Sequence, residues 1–207
     1  MFYFIKTPWW IKKLYSEGIW SIPSETKTCY LTFDDGPHPH ITPFVLDQLE
    51  KYNAKASFFC IGNNVQLFPD TYKLILDKGH VVGNHTQDHV NGWKTSDDIY
   101  LNNIITASKY IHSNLFRPPY GRIRKRQIRA LKEWRSDMKL VMWDVLSADF
   151  DVAISSEKCT RNVLDKVRSG SVIVFHDSEK AFPRLEHSLP VILNELKKRG
   201  YSFELIA

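Results

Sequence analysis

His85 and His89 stand four residues apart in the run His85-Thr86-Gln87-Asp88-His89. At that spacing two imidazoles share one face of a helix or one side of a tight turn. Two neutral imidazoles and a carboxylate form a three-ligand site with an open position, the pattern of a catalytic rather than a structural zinc. Spacing alone fits a pair of surface histidines equally well. The adjacent carboxylates Asp34-Asp35 tip the balance. They sit between a β-prone run and a Gly-Pro turn. Along a strand, consecutive side chains face opposite ways, but a turn at the strand end can bring both to one mouth. One carboxylate then ligates the metal and the other is free to take a proton from water. A helix cap or an Asx-turn explains one of the two and leaves the other unexplained.

Three more clusters follow in order: Arg117-Pro118-Pro119-Tyr120-Gly121, Trp143 to Asp149, and Val174-Phe175-His176. The two prolines fix the backbone after Arg117 and so hold its head in place, ready to orient a carboxylate. The plainer reading of Arg117 is a surface ion pair worth under about 1 kcal/mol. His176 ends a buried run. Alone it reads as a satisfied core residue, and in a metal pocket as a general acid for a leaving group. Trp93, near the histidine loop, suits sugar stacking or core packing. His38 and His40 read as loop residues, His80 as structural, and His112 and His187 as helix-surface residues. Asp144 is either a neighbour of the pocket or a strand-end cap.

Each cluster lies where an apolar run ends. Seven runs read as strands, at 28–34, 56–61, 80–84, 114–117, 139–145, 171–176 and 201–206. Most lack alternation, as strands buried on both faces do. Helical signals fill the gaps. Thr42 reads as a cap with Pro43 at the first helical position. A helix near 70–78 stops at Gly79, and Ser96 caps a long one. Others fall near 125–134, 156–169 and 187–199. Alternating strands and helices imply a parallel sheet. An open sheet collects ligands mainly at its switch point, whereas a barrel gathers loops from many strands at one mouth. Clusters after five of the seven strands favour an α/β fold of the second kind, a distorted or incomplete (β/α) barrel of about seven parallel strands.

The 207 residues suit one core. The net charge of +5 comes without a Lys/Arg-rich run interleaved with aromatics, which argues against nucleic acid as a partner. Cys29, Cys60 and Cys159 read as small buried hydrophobes. Residues 1–27 read as an N-terminal strap on a catalytic domain spanning 28–207. In the strap, Phe2, Phe4, Trp9 and Trp10 suit packing or a shallow membrane-surface contact. Lys6 and Pro8 break its apolar stretch, so neither a secretory signal nor a transmembrane segment is expected. That makes a cytoplasmic location the default and leaves action outside the cytoplasm open.

The ordered motifs resemble those of the polysaccharide deacetylase family, a carbohydrate esterase type also called the NodB-homology domain. The resemblance runs from about Cys29 to about Asp177. It implies a distorted (β/α) barrel that hydrolyses N-acetyl groups on amino sugars, or in some members ester-linked acetyls. Thr32 to Gly36 matches the motif TFDDG, which implies Asp34 as catalytic base and Asp35 as metal ligand. His85 and His89 match H-[ST]-x-x-H and would supply the other ligands. Arg117 to Tyr120 matches R-x-P-Y, so Arg117 would orient Asp34 and the Tyr120 N–H would hold the oxyanion. Asp149, six residues after Trp143, would pair with His176, the acid that protonates the leaving amine. Phe150 stands where the family usually has Trp, and Val174 where it has Leu. With Pro118, Tyr120 and Trp93 these two would wall the substrate pocket. The implied cofactor is a divalent metal, zinc first, with Co2+, Ni2+ or Mn2+ as alternatives, and the implied partner is a glycan of the polysaccharide or peptidoglycan type. Two other readings stand beside this one: a metal-dependent amidohydrolase acting on a small amide, and a non-catalytic carbohydrate-binding relative.

Overall fold

The computed structural model describes residues 3–206. Phe2 lies outside the described residues. Nine short strands form one sheet: β1 (Gly18–Ile19), β2 (Thr28–Asp34), β3 (Ala56–Cys60), β4 (Val81–Asn84), β5 (Leu115–Phe116), β6 (Lys139–Val141), β7 (Val145–Leu146), β8 (Ser171–His176) and β9 (Ser202–Phe203). The order is β1-β6-β5-β4-β3-β2-β8-β7, with β9 beside β2, and every strand pairing is parallel. The sheet curls into the incomplete barrel expected from the cluster positions.

Helices pack outside this sheet. α1 (Trp9–Leu14) belongs to the N-terminal segment. α2 (Ile41–Lys51), α3 (Gly62–Leu67), α4 (Pro69–Asp77), α5 (Asp97–Ala107), α6 (Lys125–Trp134), α7 (Ser156–Leu164) and α8 (Phe182–Lys198) connect the strands. The alternation of β2 sets the layers. Phe33 faces outward and stacks between Phe58 and Phe175 in the cluster that also takes Val45 and Leu49 of α2 and Leu189 and Ile192 of α8. Tyr30, Phe59, Leu115, Val141 and Val172 form a separate cluster in the barrel interior. The carboxylate of Asp34 closes that interior at the top.

Five element boundaries differ from expectation. Thr42 lies inside α2, whose N-cap is His40. Its hydroxyl donates to Asp177 (2.5 Å) and accepts the His38 N–H, so a tertiary contact rather than a cap uses it. The run 139–145 is two strands. β6 pairs with β1 and β5 while β7 pairs with β8, and Met142 to Asp144 cross the open seam between them. The last strand shrinks to Ser202–Phe203, because Ile206 instead donates its N–H to Ser57 on β3. The final helix starts at Phe182 and carries Pro190 inside it. α7 stops at Leu164, short of the expected end at 169.

The N-terminal segment crosses the seam. Ile5 accepts from Leu146 N–H (2.9 Å), Thr7 N–H donates to Asp144 O (3.0 Å), and Ile19 accepts from Met142 N–H (2.8 Å). Ile22 N–H reaches Gly170 O at 2.9 Å. Asp144 anchors the crossing. It is buried and takes ion pairs from Lys6 and Lys12 (2.6 Å for Lys12) and a hydrogen bond from Ser171 Oγ (2.6 Å). The outer face of the segment leaves Trp9 74% and Trp10 51% exposed. Among the described residues, no helix is long and apolar enough to cross a membrane.

Candidate active site

Asp34 and His176 are register partners on the adjacent strands β2 and β8, so both point into the barrel mouth. Asp35, one residue past β2, has φ 81°. This left-handed residue turns the chain back, so two consecutive carboxylates reach one site. The turn is pinned by Asn64 Nδ2 donating to Asp35 O (2.7 Å) and Gly36 N–H donating to Asp177 Oδ1 (3.1 Å). A Cβ at Gly36 would sit 2.1 Å from the Asp177 carboxylate, so this position requires glycine.

His85 and His89 lie in a loop, not on a helix. Thr86 (φ 65°) and His89 (φ 55°) bend it tightly enough to bring the rings to 5.0 Å. Asn84 Oδ1 accepts the Thr86 N–H, and Asn103 of α5 accepts from Gln87 and Asp88 N–H. His85 Nδ1 donates to Arg117 O (2.8 Å), which turns the Nε2 lone pair toward Asp35. Asp35 Oδ1 lies 3.7 Å from His85 Nε2 and 3.2 Å from His89 Nε2.

These three residues fit a divalent metal. One ligand atom from each lies within 4.8 Å of the others. Donors held about 2.0–2.2 Å from one ion lie within roughly 4.4 Å of each other, and both Asp35–His distances meet that limit. Asp35 Oδ1 is buried and has no hydrogen-bond partner among the described residues, an orphan that a cation would satisfy. Protonation states agree. Burial pushes His85 down to about 4, so it is neutral and can ligate. Burial pushes Asp35 up, but His89 and the positive charge of His176 outweigh it and hold the carboxyl well below the usual range.

Arg117 is not a surface residue. Its side chain is fully buried, and its guanidinium lies 4.1 Å above the Phe59 ring and 5.9 Å from Trp143. Nη1 donates to Asp34 Oδ1 (2.6 Å) and Thr32 Oγ1 (2.7 Å), Nη2 to Met142 O (3.0 Å) and Nε to Val141 O (3.2 Å). The seam residues Val141 and Met142 therefore hold the arginine that holds Asp34. Pro118 (φ −72°, ψ 132°) keeps the chain extended after it. Tyr120 then adopts φ 60° in a single 3-10 turn, its ring 4.6 Å from His89.

On the far side of the mouth, His176 Nδ1 donates to Asp149 Oδ1 (2.7 Å), and the other Asp149 oxygen accepts the His176 backbone N–H (2.8 Å). Asp149 is fully buried, and Arg184 Nε holds its carbonyl at 2.5 Å. Burial pushes His176 down, but Asp149 outweighs it and raises the imidazole to about 9. Phe150 meets His176 edge-on at 5.2 Å and is covered by Tyr3 at 5.4 Å. Val174 faces the mouth, as do Trp93 and Tyr120, both 51% exposed, in one cavity of about 580 Å³. Trp93 donates its Nε1–H to Ile123 O and stacks Arg122 over one ring face at 5.0 Å.

Asp34, Asp35, His85, His89, Trp93, Tyr120, Phe150, Val174 and His176 line this mouth, while Arg117, Pro118 and Asp149 are buried. Sequence reasoning missed the supports Thr32, Asn84, Asn103 and Asp177. Their signal was weak, since polar residues inside or beside strand ends read as turn formers. His80 is buried and structural, its Nδ1 accepting the Ala56 N–H.

A parallel barrel with a three-donor cluster, a buried Arg–carboxylate pair and a His–carboxylate pair at one mouth belongs to the class of barrel hydrolases. The particular family is given by sequence comparison: the polysaccharide deacetylase model matches residues 21–138, more than half of the chain, and the chain belongs to that family. It is 36% identical over 194 residues to a peptidoglycan-N-acetylglucosamine deacetylase of Bacillus cereus, covering 91% of this chain and 90% of the relative. It is 33% identical over 186 residues to the peptidoglycan-N-acetylglucosamine deacetylase PgdA of Listeria monocytogenes, covering 87% of this chain but 38% of that longer protein. Among solved structures it resembles the Bc1960 peptidoglycan N-acetylglucosamine deacetylase in complex with 4-naphthalen-1-yl-N-oxidanyl-benzamide, with TM-score 0.84, 34% identity, and 95% and 93% of the two chains covered.

Proposed function

We propose that this protein is a metal-dependent deacetylase that removes acetyl groups from N-acetylated amino sugars of a glycan, with peptidoglycan as the first candidate. The observation that carries this reading is the convergence of Asp34–Arg117, Asp35/His85/His89 and Asp149–His176 on one mouth. The relatives named peptidoglycan deacetylases support the substrate class. The ligand of the Bc1960 relative is a hydroxamic acid, a metal-chelating group, which supports metal dependence.

The chain's residues divide the reaction. Asp35, His85 and His89 would hold the metal, and zinc suits their imidazole and carboxylate donors. When bound, that ion supplies Lewis-acid polarisation of the acetyl carbonyl and acidifies water. Arg117 holds Asp34 Oδ1 and leaves Oδ2 to take the proton of the attacking water. The Tyr120 N–H faces the developing oxyanion. His176, kept protonated by Asp149, gives its proton to the departing amine as acetate leaves. The open mouth, with Trp93 and Tyr120 half exposed, fits a polymer better than a small amide.

The test is acetate release from peptidoglycan fragments, chitin oligomers, acetylated xylan and small amides, with chelated and zinc-reloaded protein. Zinc-restored release from the amino-sugar polymers is expected. Release from small amides alone would favour the amidohydrolase reading.

A further inference from the structure

The cavity at the mouth extends beyond the reacting groups. This one cavity is lined by Asp34 and His89, by Trp143 and by the N-terminal segment. This far arm is walled by Ile11, Leu14, Tyr15, Trp20, Met142 and Leu146, none of them charged. Two of its polar groups are already in use. Thr7 Oγ1 donates to Trp143 O (2.8 Å), and Trp20 Nε1 donates to Tyr15 O (3.0 Å). A sugar hydroxyl entering here would trade water for few partners, at a cost. A hydrocarbon would lose nothing and bury apolar surface.

The arm is fixed in place rather than loosely draped. The segment carrying Ile11 and Leu14 is tied down by Asp144 through Lys6 and Lys12 and by β1 pairing with β6. At Gly18 a Cβ would lie 2.9 Å from Met142 Cγ, so the chain sits close against that wall. The outer end reaches Trp10, half exposed to solvent.

We propose that this arm holds an aliphatic chain carried by the substrate, so that the amino sugar is presented as part of an amphiphile. The proposal rests on the deacetylase reading of the same mouth. The chain has two chemical sources, the acyl group on the nitrogen or an alkyl aglycone on the sugar.

The experiment uses the full zinc-loaded chain and two monomeric substrate series. One holds the methyl glycoside constant and lengthens the N-acyl group from acetyl through butanoyl to octanoyl. The other holds N-acetyl constant and lengthens the glycoside from methyl through hexyl to octyl. Binding is measured by calorimetry and turnover by amine release. Affinity in one series is expected to rise about two- to fourfold per added methylene until the arm is full, and the responding series identifies the source. Leu14→Asp should abolish the rise, whereas Leu14→Met should keep it. Flat affinity in both series, or an undiminished rise in Leu14→Asp, overturns the proposal. The deacetylase reading is judged separately on chitin oligomers. Their hydrolysis with flat affinity removes only the chain arm, while chain-dependent binding with no hydrolysis of any substrate removes only the catalytic reading.

Discussion

Asp34 and His176 sit directly opposite each other on neighbouring parallel strands, and each is held from behind by a fully buried partner of opposite charge. The proposed base is backed by Arg117 and the proposed acid by Asp149. A carboxylate and an imidazole are thus fixed side by side at one mouth by the sheet register itself.

Breaking the Asp34 side of this arrangement should be costly to the fold. Arg117 has no exposed surface and donates to four acceptors. Arg117→Ala leaves the Asp34 charge uncompensated, a loss of about 3–5 kcal/mol for a buried pair. Urea unfolding checks this. A loss below about 1 kcal/mol would mean that water reaches Asp34 readily.

The pair Asp149–His176 makes two pH predictions. Its imidazole is raised to about 9 against an unfolded value of about 6.5. In metal-free protein its stabilisation is therefore fully present below about pH 6.5 and lost as pH rises through about 9. Asp149→Asn should flatten that alkaline loss in a series of unfolding curves. In turnover, the same variant should shift the basic limb to lower pH and lower the rate, because the acid loses both charge support and orientation. A basic limb left in place, with His176→Ala inactive, would mean another group keeps His176 protonated.

Metal binding should depend on three side chains at once. His85→Ala with His89→Ala is expected to abolish stoichiometric zinc uptake after chelation and reloading. Unchanged stoichiometry in elemental analysis would place the ion elsewhere.

Gly36→Ala tests the turn that unites the two carboxylates. Its methyl would collide with the Asp177 carboxylate at 2.1 Å, so the turn must shift. Zinc affinity should fall at least tenfold while circular dichroism stays close to wild type. Normal affinity would show that Asp177 moves aside freely.

Much of this site was legible in the sequence because titratable side chains at strand ends leave dense polar clusters after apolar runs. The incomplete barrel followed from the number of strands bearing them. Boundaries were less legible where long-range contacts override local signals. Thr42 looks like a cap by type, but Asp177, 135 residues away in sequence, takes its hydroxyl. The run 139–145 is uniformly β-prone, yet the barrel opens inside it and Met142 turns its carbonyl to Arg117. The left-handed Asp35 and Thr86 carry no sequence mark, since neither is glycine. Whether Arg117 was buried or exposed could not be read from its neighbours, because its acceptors come from β2 and β6.

The central claim is that Asp34 takes the proton during hydrolysis of an N-acetylated amino sugar while Asp35, His85 and His89 hold the metal. The most direct measurement is acetate release from a chitin oligomer by wild-type and Asp34→Asn proteins, each shown by elemental analysis to carry the same zinc. The account predicts equal metal content and a rate lower by about 10²–10⁴-fold in the variant. Near-normal turnover in zinc-loaded Asp34→Asn would contradict it.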